Sequence, residues 1–400
     1  MKNQHNAVAL CAVGAEKAVS NELRKLGLAV IDSLYGKVRF SADIAGLYKA
    51  LMGLRAADRL TLEIDFFKAH DFDDLFEKTR VAAWEQFVPK DAGFTVVKVR
   101  SNRSQLKAET SIQSVVHKAA AEKLCEKYKI KRLPENGNNA EVRVHVEKDM
   151  VSLLLDLSGE PLFKRGYRSE GGIAPLRETT AAAMLLLSGW KRKFPLYDPF
   201  CGSGTILIEA AMYAWDMAPG LGRRFAIDKL LIADRGVEQK AREEFRSKID
   251  FDRIIRIAGS DEDARSVSIA KSNIERLLDL AEGRKPRHGT RTGGKSGPIE
   301  LVTLPMKDAR SPFPLPSSPA PSPQGFIITN PPYGKRLGDP VQSEQIYKEM
   351  GSLQQRFPGW KLALITDNSG FESFFGKKAD SCREISNGAI PSYFFQYDVL

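Results

Sequence analysis

YDPFCGSGTILIEAA, residues 197–211, reads as the end of a strand, a glycine turn and the start of a helix. An apolar run leads into Asp198, and the helix is predicted to begin near Thr205. Gly202 and Gly204 allow a tight turn and let a ligand approach the backbone closely. The spacing does not follow G-x-G-x-x-G, which disfavours a dinucleotide site, and Asp198 suits a ligand that is cationic or carries hydrogen-bond donors. The stretch predicts a ligand-binding loop, although a plain strand–turn–helix connection stays open.

The sequence around this loop alternates between apolar strands and helices from about residue 166 to the end of the chain. That alternation predicts a parallel, doubly wound sheet and therefore an α/β domain. Asn387-Gly388 stands between two predicted strands and is a hairpin signal. Residues 283–298, which are basic, and residues 311–325, which are rich in Pro and Ser, read as flexible surface insertions.

The first 165 residues divide into two smaller units in this interpretation. Residues 1–58 alternate between short strands and amphipathic helices, and residues 59–165 form a second mixed α/β segment. We therefore predict three domains, at residues 1–58, 59–165 and 166–400.

Composition narrows the compartment and the partners. The 400 residues carry a net charge of +10, which favours an anionic partner and most simply nucleic acid. The four cysteines form no C-x-x-C pair, so neither a disulfide framework nor a zinc site is expected. No stretch approaches the roughly 20 apolar residues of a membrane span, and the N-terminus lacks a signal peptide's apolar core. We expect a reduced, cytoplasmic, monomeric protein without a metal.

Two more predicted strands end in acidic residues. The stretch IAGSDED, residues 257–263, offers Asp261 first and Glu262 second for binding ribose hydroxyls, although an Asp here could instead cap a helix. Asp308 follows another strand and could hold an adenine amino group or be a solvated loop acid. The carboxyl ends of parallel strands meet at one edge of the sheet, where open α/β folds bind ligands.

The stretch IITNPPYGKR, residues 327–336, ends a fourth strand, because two prolines forbid the ladder from continuing. The side-chain carbonyl of Asn330 and the backbone carbonyl of Pro331 can accept hydrogen bonds from a planar NH₂ group. Tyr333 can stack on the ring that carries this group. Such an amine is a poor nucleophile, and two acceptors that hold its protons favour its attack on an electrophilic methyl group. A strand simply ended by Pro-Pro accounts for fewer of these residues.

Residues 289–296, GTRTGGKS, match the phosphate-loop pattern GxxxxGKS. That loop requires a strand before it and a helix after it. Here a basic, helix-poor segment precedes the match and Gly297-Pro298 follows it. NTPase activity is therefore disfavoured.

These motifs resemble those of class I S-adenosylmethionine-dependent methyltransferases that modify amino groups. DPFCGSGT resembles the first cofactor motif, SDED the ribose-binding acid, DAR the adenine-side acid and NPPYGKR the catalytic motif. NPPY is shared with DNA adenine and protein-glutamine methyltransferases. FKRGYR followed by APLRETTAAAMLLLSGW resembles a narrower family, the THUMP-domain RNA guanine-N2 methyltransferases and in particular the bacterial 23S rRNA type.

The resemblance covers nearly the whole chain and implies a ferredoxin-like domain at 1–58, a THUMP domain at 59–165 and a Rossmann-like methyltransferase domain at 166–400. Because the chain stops at Leu400, one methylation is expected. The implied cofactor is S-adenosylmethionine, with contacts from Arg177, Glu178, Thr179, Asp198, Phe200, Cys201, Gly202, Ser203, Gly204, Asp261, Glu262, Asp308 and Ala309. The implied catalytic residues are Asn330, Pro331, Pro332 and Tyr333. The implied substrate is a guanine of 23S rRNA or of a ribosome assembly intermediate, turned out of its stack.

The stretch KVRSNRSQLK, residues 98–107, is the predicted RNA contact within the THUMP-like region. Lys98, Arg100, Arg103 and Lys107 are its cations, and Ser101, Asn102 and Ser104 add neutral donors suited to phosphate oxygens. A solvated basic loop is the alternative interpretation.

Three other functions stay open from the sequence. A tRNA guanine-N2 methyltransferase is the runner-up, because THUMP domains also serve tRNA. A non-enzymatic RNA-binding or assembly factor is disfavoured by the intact cofactor loop and NPPY. A protein-glutamine methyltransferase is disfavoured by the THUMP-like region and the basic charge.

Overall fold

The structure is a computed structural model that describes residues 4–135, 137–168, 176–283, 299–313, 324–332, 340–388 and 390–400. These residues form two seven-stranded sheets, one from each half of the chain. Within the described ranges, no helix is long and apolar enough to cross a membrane. In the same ranges, no group of three or more His, Cys, Asp or Glu side chains could hold a metal ion.

The first sheet contains β1 (His5–Cys11), β2 (Ala29–Leu34), β3 (Lys37–Ala42), β4 (Ala57–Lys68), β5 (Gly93–Asn102), β6 (Asn139–Glu147) and β7 (Met150–Asp156). Their order across the sheet is β2-β3-β1-β4-β7-β6-β5. Its helices are α1 (Glu16–Lys25), α2 (Ile44–Gly53), α3 (Phe72–Val81) and α4 (Glu109–Tyr128).

One long strand, β4, joins the two N-terminal units. Its first half pairs with β1 and its second half with β7, so the two units share a continuous sheet. The predicted boundary between residues 58 and 59 falls inside this strand. The edge strand β2 was not predicted, because most of its residues are exposed or only half-buried and it lacks a clear apolar alternation.

The two faces of this sheet differ in chemistry. Ala7 pairs with Phe40 and Leu62, and all three belong to a hydrophobic core that includes residues from the four helices. Glu63 pairs with Leu154 on the opposite face, which also carries Arg39 and Arg143. We call this opposite side the polar face.

The second sheet contains β8 (Leu196–Asp198), β9 (Ile257–Asp261), β10 (Ile299–Thr303), β11 (Phe326–Thr329), β12 (Lys361–Thr366), β13 (Ser381–Asn387) and β14 (Ile390–Tyr397). The strand order is β10-β9-β8-β11-β12-β14-β13. Its helices are α5 (Glu178–Leu187), α6 (Thr205–Ala214), α7 (Arg235–Ser247), α8 (Ala264–Ala281), α9 (Pro340–Met350), α10 (Leu353–Arg356) and α11 (Phe371–Phe375).

The parallel, doubly wound arrangement is confirmed for β8 to β12, and the sheet ends in an antiparallel hairpin. Asn387 pairs with Ile390 and so belongs to β13, whereas the predicted hairpin signal had placed it in the turn. Gly388 has φ +67°, a conformation that favours glycine. Successive residues of β11 and β12 join different hydrophobic clusters, because helices cover both faces of the sheet.

Candidate cofactor and catalytic site

A cavity of about 760 Å³ opens at the carboxyl edge of the second sheet. It lies beside β8, where the strand order reverses direction between β9 and β11. Open α/β sheets bind ligands at this position because neighbouring loops diverge there. Nine of the predicted site residues line the cavity: Asp198, Phe200, Cys201, Gly202, Ser203, Asp261, Glu262, Asn330 and Pro332.

The glycine loop after β8 takes backbone conformations that other residues adopt poorly. Gly202 has φ +50° and Gly204 has φ +81°. A Cβ at Gly204 would lie 3.1 Å from the Cβ of Ala270, whereas one at Gly202 would meet no described atom within 4 Å. Gly202 therefore presents open backbone to the cavity, and Gly204 packs the loop against α8.

Asn273 of α8 stabilises this glycine loop. Its Nδ2 donates a hydrogen bond to the carbonyl oxygen of Ser203 at 3.0 Å. No motif marks this residue, because its partner lies 70 residues away in the chain.

Asp198 is 1% exposed and joins the cofactor loop to the catalytic strand. Thr329 Oγ1 donates to Asp198 Oδ1 at 2.6 Å, and the Phe200 N–H donates to the same oxygen at 3.1 Å. Burial, with a smaller contribution from the charge of Asp261, raises the pKa of Asp198 to about 7, against the opposing effect of the hydrogen bonds from Thr329 and Phe200. A cationic ligand group would favour the ionised carboxylate.

The three acids after β9 have different roles. Asp261 Oδ2 accepts the Gly202 N–H at 2.9 Å, which brings the second strand end against the glycine loop. Asp263 caps α8 by accepting the N–H groups of Arg265 and Ser266. Glu262 is exposed and lines the cavity. All three acids line the cavity, and the side chain of Asp263 is engaged as the helix cap.

Asn330 lies directly after β11 and is 7% exposed. Its Oδ1 is buried and has no hydrogen-bond partner in the described part of the chain. Pro331 is buried and Pro332 lines the cavity. An orphaned buried acceptor is unfavourable unless a ligand supplies the donor. Tyr333, predicted to stack on the substrate ring, lies outside the described residues.

The turn after β10 supplies the next part of the wall through Met306 and Lys307. Asp308 is exposed and does not line the cavity, and Ala309 is fully buried. Nη1 of Arg356 donates to the carbonyl oxygens of Met306, Lys307 and Ala309 at 2.7, 2.8 and 3.0 Å. This arginine, which positions the turn, was also absent from the sequence prediction.

The predicted cofactor contacts at the start of α5 have other partners. Arg177 pairs with Asp58 at 3.3 Å, and Thr179 Oγ1 also hydrogen-bonds Asp58. Glu178 is buried and accepts a hydrogen bond from Arg168 at 2.8 Å. None of the three predicted residues lines the cavity.

The predicted RNA contacts Lys98, Arg100, Arg103 and Lys107 are all exposed on β5 or the loop after it. The two serines of the same stretch are engaged within the protein. Ser101 Oγ hydrogen-bonds the Leu106 carbonyl, and Ser104 Oγ donates to Asp149 at 2.7 Å. These hydroxyls stabilise the loop and are therefore not free to donate hydrogen bonds to phosphate oxygens.

Other predictions concern residues 289–296, 284–298 and 314–323, which lie outside the described residues. These ranges hold the phosphate-loop match and most of the two predicted insertions.

The cavity fits a nucleoside that carries a cationic amino-acid tail. It offers a buried carboxylate at Asp198, a second acid pair at the end of β9 and open glycine backbone at Gly202. The side-chain carbonyl of Asn330 adds one more hydrogen-bond acceptor to the cavity wall. S-adenosylmethionine has complementary chemistry, with an ammonium group, ribose hydroxyls and a methyl group to donate.

Comparisons with known proteins give consistent matches along the chain. Family profiles match the RlmL ferredoxin-like domain at residues 6–61, the THUMP domain at 69–156, and the RMKL-like methyltransferase domain at 165–278 and 309–394. The chain is 36% identical over 401 residues to "Putative RNA methyltransferase YpsC" of Bacillus subtilis (strain 168), covering 98% of this chain and 96% of that protein.

Two solved structures are similar over their whole length. One is described as "SMU.472, a putative methyltransferase complexed with SAH", with 34% identity, a TM-score of 0.84 and coverage of 100% and 99% of the two chains. The other is described as a possible methylase from Clostridium difficile 630, with 36% identity, a TM-score of 0.87 and the same coverage.

Proposed function

The chain belongs to the family of THUMP-containing RNA methyltransferases, and from that premise we propose that it methylates the 2-amino group of a guanine in 23S rRNA. Its predicted fold class is confirmed: a Rossmann-like class I methyltransferase domain follows ferredoxin-like and THUMP domains. The cofactor is S-adenosylmethionine. The observation that supports an amine substrate is the buried, unpartnered carbonyl of Asn330 at the cavity wall.

S-adenosylmethionine supplies an electrophilic methyl group when it is bound. In our proposal Asp198 and the glycine loop hold its methionine part, and Asp261 and Glu262 hold the ribose. The turn at Met306 and Lys307 covers the adenine side. Asp308 and Ala309 contribute through this turn, since neither lines the cavity.

Asn330 and Pro331 then hold the two protons of the guanine amine. Hydrogen bonds to both protons raise electron density on the nitrogen and orient its lone pair toward the methyl group. Proton loss can follow transfer, so the site does not need a strong base. Tyr333 would stack on the guanine, and the base must leave its helical stack to reach the cavity.

The RNA assignment is supported by the THUMP profile and the net charge of +10. Cations on β5 and its loop are exposed, as phosphate contacts must be. We propose a cytoplasmic ribosome assembly intermediate or free 23S rRNA as the partner. The four cysteines are free, as a reducing compartment requires.

Mass spectrometry of digested RNA tests this proposal. We expect 23S rRNA from a strain lacking the gene to lose one N2-methylguanosine, which the purified enzyme restores with S-adenosylmethionine. Restoration in tRNA but not in rRNA would favour the tRNA alternative. Incorporation of methyl groups at adenine would contradict the guanine assignment.

A further inference from the structure

The polar face of the first sheet places cations beside cations. In the parallel pairing of β5 with β6, Lys98 lies opposite Arg143 and Arg100 lies opposite His145. Like charges that face each other across strands are destabilising. The arrangement therefore works against stability, as is common where a protein binds a charged partner.

The protein relieves part of this repulsion by keeping His145 neutral. Burial, together with the charges of Lys37, Arg143, Lys98 and Arg100, lowers the pKa of His145 to about 4. Lys98, Arg100 and Arg143 remain as the cations of this group. An anion placed over this face would remove the repulsion.

Arg177 extends this group of charges toward the catalytic domain. Arg177 pairs at 3.3 Å with Asp58 of β4, a strand of the same sheet as β5 and β6. Burial and the charges of Arg100, Arg143 and Arg177 lower the pKa of Lys98, whereas Glu109 raises it. Arg177 directly follows Leu176, which lines the cavity, and it packs against the loop glycine of the β13–β14 hairpin.

The surroundings of Arg177 do not resemble those of a cofactor ligand. Its guanidinium stacks over the ring of Phe163 at 4.9 Å and pairs with Asp58 at 3.3 Å, yet its side chain is 39% exposed. An exposed, flat guanidinium backed by an aromatic ring can bind phosphate or stack on a base. The cavity lies beyond its neighbour Leu176 and does not include Arg177 itself.

We propose that Lys98, Arg100, Arg143 and Arg177 form one RNA-backbone track from the THUMP sheet to the cavity, and that Arg177 binds RNA rather than the cofactor. The inference rests on the proposed function, because it assumes an RNA substrate. The proposal adds Arg143 to the predicted RNA contacts. It also moves Arg177 from the predicted cofactor contacts to the RNA contacts. Acids lie near the track as well: Asp58 is engaged with Arg177 and Thr179, Asp156 pairs with Arg59 at 3.0 Å, and the charges of Glu109 and Glu141 act on Lys98 and Arg143.

RNA fits this track better than an acidic protein does. Successive cations alternate along β5 on one face, which suits a repeating backbone charge. The track also ends beside a cavity that, in our proposal, accepts a single base. An acidic protein would have no reason to approach that cavity.

The test compares RNA and cofactor binding by the full chain carrying Arg177→Gln. The probe is 23S rRNA transcribed in vitro, titrated at several KCl concentrations. Loss of one phosphate contact should weaken binding about five- to eightfold at 0.1 M salt and reduce the salt slope by about one. Affinity for S-adenosylmethionine, measured by calorimetry, should stay unchanged.

Two further variants separate RNA binding from a structural role. Arg246→Gln removes an exposed arginine from α7, which packs on α2 and so lies on the helix side of the sheet. It should leave the salt slope intact. Asp58→Asn removes the acid that pairs with Arg177, and it should leave RNA affinity equal or tighter. If Arg177 serves only to hold Asp58, both Arg177→Gln and Asp58→Asn will weaken RNA binding alike.

Other results would overturn the inference. Weaker S-adenosylmethionine binding by Arg177→Gln with normal RNA binding would return this residue to the cofactor site. An unchanged salt slope would remove it from the RNA track. If the wild-type chain itself shows no salt-dependent affinity for 23S rRNA, the proposed substrate fails, and the comparison among variants identifies that outcome separately.

Discussion

Asn330 is the residue on which the proposed chemistry depends most. Its side-chain oxygen is buried without a described partner, although its neighbours Thr329 and Pro331 are well packed. A folded protein tolerates such an atom where a ligand completes its hydrogen bonding. The site is thus preorganised for an N–H donor before the substrate arrives.

We expect Asn330→Ala to lower kcat about 100-fold or more, by analogy with the loss of one positioned polar group in other active sites. Affinity for S-adenosylmethionine should change little, because in our proposal Asn330 contacts the guanine and not the cofactor. Methyl transfer to rRNA and calorimetry measure the two quantities. Asn330→Asp retains an acceptor and should keep more activity than the alanine variant. Equal kcat in wild type and Asn330→Ala would contradict the mechanism.

In our proposal, Asp198 makes cofactor binding depend on pH. Its pKa in the folded protein is about 7, above the usual value of a carboxyl group. Its contribution to stability is therefore present below about pH 4 and is lost as pH rises through about 7. A cationic ligand reverses the preference, since it binds the ionised form.

We therefore expect S-adenosylmethionine to bind about tenfold more tightly at pH 8 than at pH 6, following the ionised fraction of a group with a pKa near 7. Calorimetry across this range measures the effect. Asp198→Asn should bind more weakly and lose this pH dependence, and any titration of the ligand itself will be common to both proteins. If the affinity of wild type and of Asp198→Asn changes with pH in the same way, Asp198 is not the group that binds the cofactor.

At the scale of elements, the turn at Met306–Asp308 depends on a helix elsewhere in the chain. A 3₁₀ turn of three residues has little stability of its own. Arg356 at the end of α10 shares the two hydrogens of its Nη1 among three carbonyl oxygens of this turn and the residue after it, and one hydrogen bond to a charged donor contributes about 1.5–3 kcal/mol. This contact supports the wall of the cavity that faces the adenine in our proposal.

Arg356→Ala should raise the KM for S-adenosylmethionine about tenfold while kcat at saturation stays near wild type. The reason is that the turn contacts the cofactor and not the reacting amine in our proposal. Arg356→Lys can make some of these hydrogen bonds, so its KM should lie between those of wild type and Arg356→Ala. Steady-state methylation at varied cofactor concentration gives both constants. A fall in kcat alone would place Arg356 in a different role.

At the scale of the whole molecule, buried charges join the N-terminal unit to the catalytic domain. Arg165 is 5% exposed and pairs with Glu209 of α6 at 3.3 Å. The same guanidinium donates to the carbonyl oxygen of Arg55, next to α2. Because α6 begins at the glycine loop, this contact connects the cofactor site to the RNA-binding half.

Removing one member of this pair should destabilise the fold strongly. Arg165→Met removes the ion-pair partner of the buried Glu209 and leaves it only the charge of Arg55 and the hydroxyl of Tyr167, so it should lower the free energy of unfolding by about 3 kcal/mol. Chemical denaturation measures the loss. The double variant Arg165→Met with Glu209→Gln removes both charges and should recover part of it. If the single and double variants are equally unstable, the lost contacts to backbone carbonyls matter more than the charge.

Local rules made much of this protein predictable from its sequence. The glycine turn, the acids at the strand ends and the Pro-Pro stop follow from positive φ, side-chain alternation and the missing N–H of proline, which depend on few neighbours. For the same reason, nine of the predicted site residues lie around one cavity. The edge strand β2 was missed because exposed strands have weak alternation.

Contacts between distant residues were decided only by tertiary structure. Thr329 and Asp198 are 131 residues apart, and nothing local to either residue predicts their hydrogen bond. Likewise, Arg177 pairs with Asp58 across 119 residues, and Arg356 meets its turn across 47 or more residues. A side chain's direction depends on which elements surround it. Sequence motifs therefore located the cavity, whereas packing determined which charged residues face it.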